Sequence, residues 1–297
     1  MSQVTSGAES AQISIIIVNW KVSDLVGALL YSIAKETKGI TYEIFVVDND
    51  SDDDIREVVV GFLEGHPGVK THFIGNDRNL GFAAANNLAI SQASGRYVVL
   101  LNPDTELKDD ALSKMVAWMD AHPDVGLAGP KLLNADGTLQ PSVRALPRLL
   151  DQTLILLKAH RYARNLPPLK RYFEDAFDYG KTQDVEQLMG AALFVRKDVF
   201  TKIGLLDEAF FIWFEEVDFC RRAQTAGFRV VYVSDIAIVH HGGESFSKSF
   251  TMTKQKYFND SMMAYFRKHH RARAWALAVP LAVGLGLAAV VSIFRRK

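Results

Sequence analysis

The sequence predicts an α/β fold: an open, mostly parallel sheet flanked by helices, with a C-terminal hydrophobic membrane helix. Three observations carry this expectation. Short β-branched runs alternate with segments of helical spacing through the first half of the chain, the order of a parallel sheet covered on both faces. Polar residues follow directly on three of those runs: Asn19 after the first, Asp48, Asn49 and Asp50 after the second, Asn102 and Asp104 after the fourth. Open α/β sheets bind ligands outside the carboxyl ends of their strands, so these groups should meet on one rim. The third is the stretch 275–294, which contains no charged residue.

Each element follows from its pattern. Residues 13–18 form a short apolar run, as a strand buried on both faces requires. Residues 23–35 place Leu25, Leu29, Leu30 and Ile33 at helical spacing, with Ser23 or Asp24 as the cap. Strands at 42–47, 69–74 and 97–101 alternate with helices at 55–63, 82–93 and 110–121. Residues 140–184 hold Pro141, Pro147, Pro167 and Pro168 around a helical patch near 149–158, and read as a loop-and-helix segment suited to a lid. Regular structure resumes with a strand at 188–195, a helix at 214–226, strands at 229–233 and 237–239, and a helix at 253–270.

The chain has 297 residues, 48% of them hydrophobic, enough for one large domain with an appendage. Lys plus Arg and Asp plus Glu both number 34, so there is no basic excess of the kind nucleic acid attracts. The single cysteine, Cys220, excludes an intramolecular disulfide framework and a multi-cysteine metal site; it reads as a core residue. Residues 1–12 are polar, without the plan of a signal peptide, and read as a disordered lead, which keeps the catalytic part in the cytoplasm. The 275–294 stretch could span roughly 30 Å as a helix. Basic residues flank it, and Trp275 stands at an interfacial position. A buried C-terminal helix is the alternative, but Pro280, Gly284 and Gly286 suit lipid better than a soluble helix. Both flanks are basic, so spanning and lying in the interface stay open.

Five motifs carry chemistry. Val47-Asp48-Asn49-Asp50 places an acid at a strand end, where it can accept hydrogen bonds from a base or ribose; the same residues also make turns and caps. Asn79-Leu80-Gly81-Phe82, running into Asn86-Asn87, opens a helix of small residues, which lets a phosphate approach backbone N–H groups or simply packs tightly on the sheet. Asn102-Pro103-Asp104 projects a carboxylate beyond an apolar strand, a place for a hard divalent cation or a Pro-Asp turn. Glu215-Glu216 and Asp218 follow Phe211 to Phe214; paired acids raise one another's pKa, which suits one of them to take a hydroxyl proton. His240-His241 follows a strand and can complete a metal site or contact phosphate.

Taken in order, these motifs resemble the inverting GT-A glycosyltransferases of family 2, in their bacterial rhamnosyltransferase-like branch. The resemblance covers about 13–245. It rests on Val18-Asn19-Trp20, Val47-Asp48-Asn49, the Asn79 to Asn87 segment, Leu101-Asn102-Pro103-Asp104, Met189-Gly190-Ala191, Phe211 to Asp218, and His240 with Gly243 and Ser245. It implies a GT-A-like sheet over 13–250, with a nucleotide-binding half at 13–130 and an acceptor half at 131–250. A basic juxtamembrane helix (251–274) and the membrane segment (275–294) would follow. The donor would meet Asn19, Asp48, Asn49, Asn79, Gly81, Phe82, Asn86 and Asn102. The acceptor would meet Gly190, Trp213 and Asp218. Asp104 and His240 would hold Mg²⁺ or Mn²⁺, with Asn102 where the family's Asp-x-Asp motif has its first Asp. Glu216, with Glu215 beside it, would be the catalytic base. The resemblance also implies a nucleotide-sugar donor, with dTDP-rhamnose foremost. The apolar segment places a lipid-linked saccharide acceptor at the cytoplasmic face of the cell membrane. A related nucleotidyltransferase would show a Gly-rich loop with a basic residue after the first strand; here Asn19 to Ser23 has no glycine. A membrane-anchored sugar or nucleotide binder without catalysis would bind donor but release no nucleotide.

Overall fold

Every residue of the first apolar run is buried, and it forms β1 (Ile13–Asn19) inside the sheet. The computed structural model describes residues 11–242 and 251–294. It places β2 (Tyr42–Asp48) parallel on one side of β1 and β4 (Tyr97–Leu101) parallel on the other. Beyond β2 lies β3 (Lys70–Gly75), also parallel. The crossovers are α1 (Ser23–Glu36), α2 (Ile55–Gly65) and α3 (Phe82–Ile90). The expected helical stripe of α1 is met by buried Val26, Leu29, Leu30 and Ile33. Each such side chain removed from water contributes roughly 1.5–3 kcal/mol. The expected cap is not. Val22 holds the N-cap position without a side-chain bond, and Ser23 N–H donates to Asp53 Oδ2 from the neighbouring loop. An acid from elsewhere in the fold serves the helix dipole as well as a local one.

Past β4 the sheet is no longer purely parallel, although all its long strands but one still run the same way. Strand β6 (Val125–Leu133) lies beyond β11 (Ala192–Arg196), which pairs antiparallel with both β4 and β6. Strand β12 (Arg229–His240) runs parallel to β6, and the short β5 (Thr105–Glu106) closes the edge antiparallel to β12. The sheet is therefore mixed. A run buried on both faces carries no sequence mark of its direction, so its pairing could not be read. The β6 strand itself was not anticipated, because Gly126, Gly129 and Pro130 within it read as punctuation. The expected strand at 188–195 is broken: β10 (Gln187–Leu188) pairs with β8 (Val143–Arg144) in a separate two-stranded sheet, and residues 189–191 turn before β11. The two runs at 229–233 and 237–239 join as one strand with a register shift between Val233 and Ala237.

Two apolar layers sandwich the sheet. One joins α1, α2 and α4 (Ala111–Ala121). The other joins α3, α7 (Lys197–Ile203) and α8 (Glu215–Thr225), and includes Cys220, whose thiol burial pushes up to about 12. A third cluster gathers Phe210, Phe214 and Val217 with Leu156 of α5 (Leu149–Leu156) and with Met262, Tyr265 and Phe266 of α9 (Thr251–His269).

The stretch 275–294 is not one continuous helix. Its first residues belong to a 3-10 stretch, Arg271–Leu277, and only then does α10 (Ala278–Phe294) begin, with Pro280 tolerated in its first turn. At 17 residues α10 is about 25 Å long, short of a hydrocarbon core of roughly 30 Å. No helix among the described residues is long and apolar enough to cross a membrane. Leu277 is fully buried, and the Asn259 amide donates to the Leu281 carbonyl. Of the expected lead, Ala11 and Gln12 are described, and Gln12 bonds Thr41; residues 1–10, like Gly243 and Ser245, lie outside the described residues.

Candidate active site

The chain leaves β1 toward β2 on one side and later returns to place β4 on the other, so a crevice opens at the carboxyl ends of β1 and β4. A cavity of about 410 Å³ occupies it. Its walls come from all the expected quarters. Val18 and Trp20 follow β1; Asn49 follows β2; Asn79, Gly81 and Phe82 open α3; Asn102, Pro103 and Asp104 follow β4. Gly190, Trp213, Glu215, Glu216 and His240 complete the lining.

The rim groups divide between lining and bracing. Asn49 is 2% exposed and uses its whole amide on the next loop: Nδ2 donates to Asn79 Oδ1, while Oδ1 accepts from Asn76 Nδ2 and Leu80 N–H. It therefore fixes the turn into α3 while touching the cavity. That turn needs Gly81, at φ +86°, because a Cβ there would stand 2.5 Å from the Phe211 carbonyl oxygen. The same carbonyl accepts from Phe82 N–H at 2.6 Å, which ties the α3 turn to the segment before α8. Three residues expected at the donor do not line the cavity. Asn19 is fully buried, and its amide donates to Asp48, Ser51 and Asp53. Asn86 is turned back onto the Phe82 carbonyl. Asp48 stands half-buried at the end of β2, accepting from Asn19. A polar residue at a strand end is equally suited to knitting loops together, and Asn19 does that.

Asp104 and His240 meet across the β4 and β12 ends, with His240 Nε2 3.3 Å from Asp104 Oδ1. The tautomer of His240 follows from its neighbours. Gln140 Nε2 donates to Asn134 Oδ1 and to the His240 carbonyl, so Gln140 Oε1 is the atom 2.6 Å from His240 Nδ1. Nδ1 therefore carries the hydrogen. In the neutral ring Nε2 then presents a lone pair toward Asp104, and it is buried without a hydrogen-bond partner. A lone pair and a carboxylate facing each other at this distance suit a shared cation. Among the described residues no three His, Cys, Asp or Glu side chains converge as a metal cage. His241 turns away to Glu106.

The acids of α8 are set by strain at its start. Trp213 and Phe214 both adopt left-handed backbone (φ 62° and 70°), which bulky residues rarely do. The helix then opens with Glu215 and Glu216 aimed into the cavity wall. Each leaves one carboxylate oxygen, Oε2, buried without a partner. Burial, with the neighbouring Glu216 charge behind it, pushes the Glu215 carboxyl well above its ordinary range. Burial pushes Glu216 up to about 7. Glu216 packs beside Gly190, where a Cβ would lie 3.6 Å from the Glu216 side chain. Asp218 corrects an expectation. It is fully buried one turn on, facing away from the cavity, and bonds Arg222, Lys268 and His269. Helical spacing keeps residue 218 on the side of 215, and the bonds to Arg222, Lys268 and His269 are what hold its carboxylate elsewhere.

With this geometry in place, the comparisons are specific. The sequence profile described as Glycosyl transferase family 2 matches residues 14–191, more than half the chain. The chain belongs to glycosyl transferase family 2. Among curated relatives of this glycosyltransferase is the N-acetylglucosaminyl-diphospho-decaprenol L-rhamnosyltransferase of Mycobacterium tuberculosis, 26% identical over 68% of this chain and 67% of its own length. The rhamnosyltransferase WbbL of Escherichia coli is 25% identical over 80% of this chain and 87% of its own. Among solved structures, the mannosyltransferase PcManGT from Pyrobaculum calidifontis, in complex with GDP-Man and Mn²⁺, superposes with a TM-score of 0.57 at 18% identity, over 95% of this chain and 76% of that one. At that identity the likeness shows the GT-A-like fold.

Three residues not assigned a role from the sequence also line the cavity or brace it. Trp20 follows β1 directly, a visible signal. Tyr257 comes from α9 and stacks on Phe211 at 4.4 Å; nothing in its sequence neighbourhood marks it. Gln140 lies within the proline-rich stretch and is identified only through its bonds to His240.

Proposed function

We propose that this glycosyltransferase moves rhamnose from dTDP-rhamnose to a lipid-linked saccharide acceptor, with inversion, at the cytoplasmic face of the cell membrane. The observation that carries the chemistry is one cavity with the Glu215–Glu216 pair on one wall and Asp104–His240 on another. The relatives named as rhamnosyltransferases support the sugar, and the mycobacterial relative's printed name supports a lipid-linked acceptor.

The two glutamates have different tasks because their surroundings push them apart. Glu215 is raised well above its ordinary range by burial and by the Glu216 charge, so it resists ionising beside an ionised Glu216. Glu216, near 7, is ionised in a useful fraction and retains enough basicity to take a proton. It removes the proton of an acceptor hydroxyl lying over Gly190. That oxygen forms a bond to the anomeric carbon as the bond from the anomeric carbon to the diphosphate oxygen breaks, on the opposite face, through an oxocarbenium-like transition state. The nucleoside diphosphate leaves with the bonding pair. Asp104 and His240 would hold Mg²⁺ or Mn²⁺. Such an ion, when bound, neutralises charge on the departing diphosphate. Asn79, Gly81, Phe82 and Asn102 line the donor side.

The test is release of nucleoside diphosphate by the purified chain from dTDP-rhamnose, UDP-sugars and GDP-sugars, with a lipid extract as acceptor and Mg²⁺ or Mn²⁺ present or withheld. The proposal expects lipid-dependent, metal-dependent release from dTDP-rhamnose. Release from a UDP- or GDP-sugar alone overturns the donor, and release without lipid overturns the acceptor.

A further inference from the structure

Eleven large apolar side chains stand exposed among the described residues, and seven of them lie in two segments that pack side by side. Leu150, Leu157, Tyr162 and Leu166 belong to α5 and the turn after it. Trp275, Val279 and Val283 belong to the 3-10 stretch and α10. More than a hundred residues of chain separate these segments, yet a Cβ on Gly284 would sit 3.3 Å from the Leu156 carbonyl oxygen. Tyr162 is 90% exposed and Trp275 77%, so neither ring is used by the fold.

The pattern is two-sided. Leu150 and Leu157 are two helical turns apart and share a face of α5; Val279 and Val283 are about one turn apart and share a face of α10. The inner faces of the same elements are already spent: Leu156 and Leu277 are fully buried in the third cluster. The outer apolar rows therefore serve something other than the core of this chain.

Charge identifies the class of partner. Arg161 and Lys170 stand exposed beside the first segment, and Arg267, Arg271 and Arg273 beside the second. Residues 261–294 contain no Asp or Glu. The acid nearest the start of α5, Asp151, is buried and bonded to Arg171. An apolar face with exposed Trp and Tyr and a basic rim is complementary to an anionic lipid surface, whose headgroups take the cations and whose acyl boundary takes the apolar rows.

We propose that these two segments together form a docking face for an anionic bilayer, lying in the interface rather than crossing it. This rests on the reading that the enzyme acts at a membrane, and specifies how it is held there. It gives 150–166 a share in the attachment, so the membrane contact is not a property of the C-terminal segment alone. It also joins the membrane to the site. Trp213 lines the cavity and packs against the third cluster, on which both docking segments rest. An acceptor carried by lipid would thus meet the cavity beside the face that holds the enzyme down.

The test is co-sedimentation of the full chain with vesicles of phosphatidylcholine alone and of an equal mixture with phosphatidylglycerol. The variants are L157S/Y162S and W275S/V279S, all at exposed positions outside the catalytic site. Expected is binding to the anionic vesicles, weakened by salt, and loss of roughly tenfold or more in affinity for each double variant. Circular dichroism of the variants checks that they remain folded. Undiminished binding by L157S/Y162S overturns the two-segment face. A dimer in solution that both variants dissociate, without vesicle binding, overturns it in favour of self-association. Acceptor-dependent nucleotide release, measured in parallel, separates the two claims. Release without vesicle binding leaves the transferase standing and removes the docking face; vesicle binding without release does the reverse.

Discussion

Glu216, His240 and Gln140 act through which atoms carry protons, and that can be tested one residue at a time. If Glu216 takes the acceptor proton, turnover requires its ionised form. The rate should therefore fall as pH drops below about 7, the value to which burial pushes it. A turnover rate that is flat from pH 6 to 8, roughly a unit on each side of that value, contradicts this. Gln140 makes a separate prediction. Its Oε1 holds the hydrogen on His240 Nδ1 and so turns the Nε2 lone pair toward Asp104. Gln140→Leu should weaken Mn²⁺ binding by roughly 10- to 100-fold, read by electron paramagnetic resonance of free Mn²⁺, while donor binding without metal is unchanged. Gln140→Glu, which keeps an acceptor at Nδ1, should restore most of it. At this scale acids and amides were legible to the same degree: Asp104, Glu215 and Glu216 line the cavity, as Asn49, Asn79 and Asn102 do, while Asp48, Asp218, Asn19 and Asn86 do not. A polar residue at a strand end or in a first helical turn has several structural uses, and Asn19 is a brace between loops while Asn86 bonds its own helix.

At the scale of elements, two junctions hold the site open in the right shape. The first is the turn into α3, where the backbone at Gly81 passes against the Phe211 carbonyl. Gly81→Ala should cost about 2–3 kcal/mol of stability, combining the left-handed φ with the overlap, and should lower the midpoint of urea unfolding. The second is the tie between α8 and α9. Burial alone would raise Asp218, but bonds from His269, Lys268 and Arg222 outweigh it and hold its carboxyl at about 2. Its contribution to stability is thus present above the unfolded value of about 4 and is lost as pH falls toward 2. Asp218→Asn should cost about 2 kcal/mol at neutral pH, with its three partners partly solvated, and the gap to wild type should close between pH 4 and 2. Most strands and helices were legible because their apolar periods are strong. The antiparallel placement of β11, the existence of β6 and the break at 189–191 were not. Direction, glycine used for close packing, and a loop that must pass a catalytic acid leave no periodic mark.

Across the whole molecule, the mixed sheet gathers residues from every part of the chain onto one cavity. The first half supplies Asn49, Asn79, Phe82 and Asp104, the second half Glu215, Glu216 and His240, and α9 closes the wall with Tyr257. The apolar C-terminal stretch was legible as unusual, but how much of it packs against the rest of the chain was not. Composition reports how apolar a segment is, and only the tertiary contacts of Leu277 and Leu281 show that part of it is consumed by the protein itself. The central claim is that this cavity catalyses glycosyl transfer with Glu216 as the base. The most direct measurement is acceptor-dependent release of nucleoside diphosphate by wild type and Glu216→Gln, alongside donor affinity for both. The account predicts that the variant loses about a thousandfold in turnover and binds donor as wild type does. Turnover by Glu216→Gln within a few-fold of wild type would contradict it.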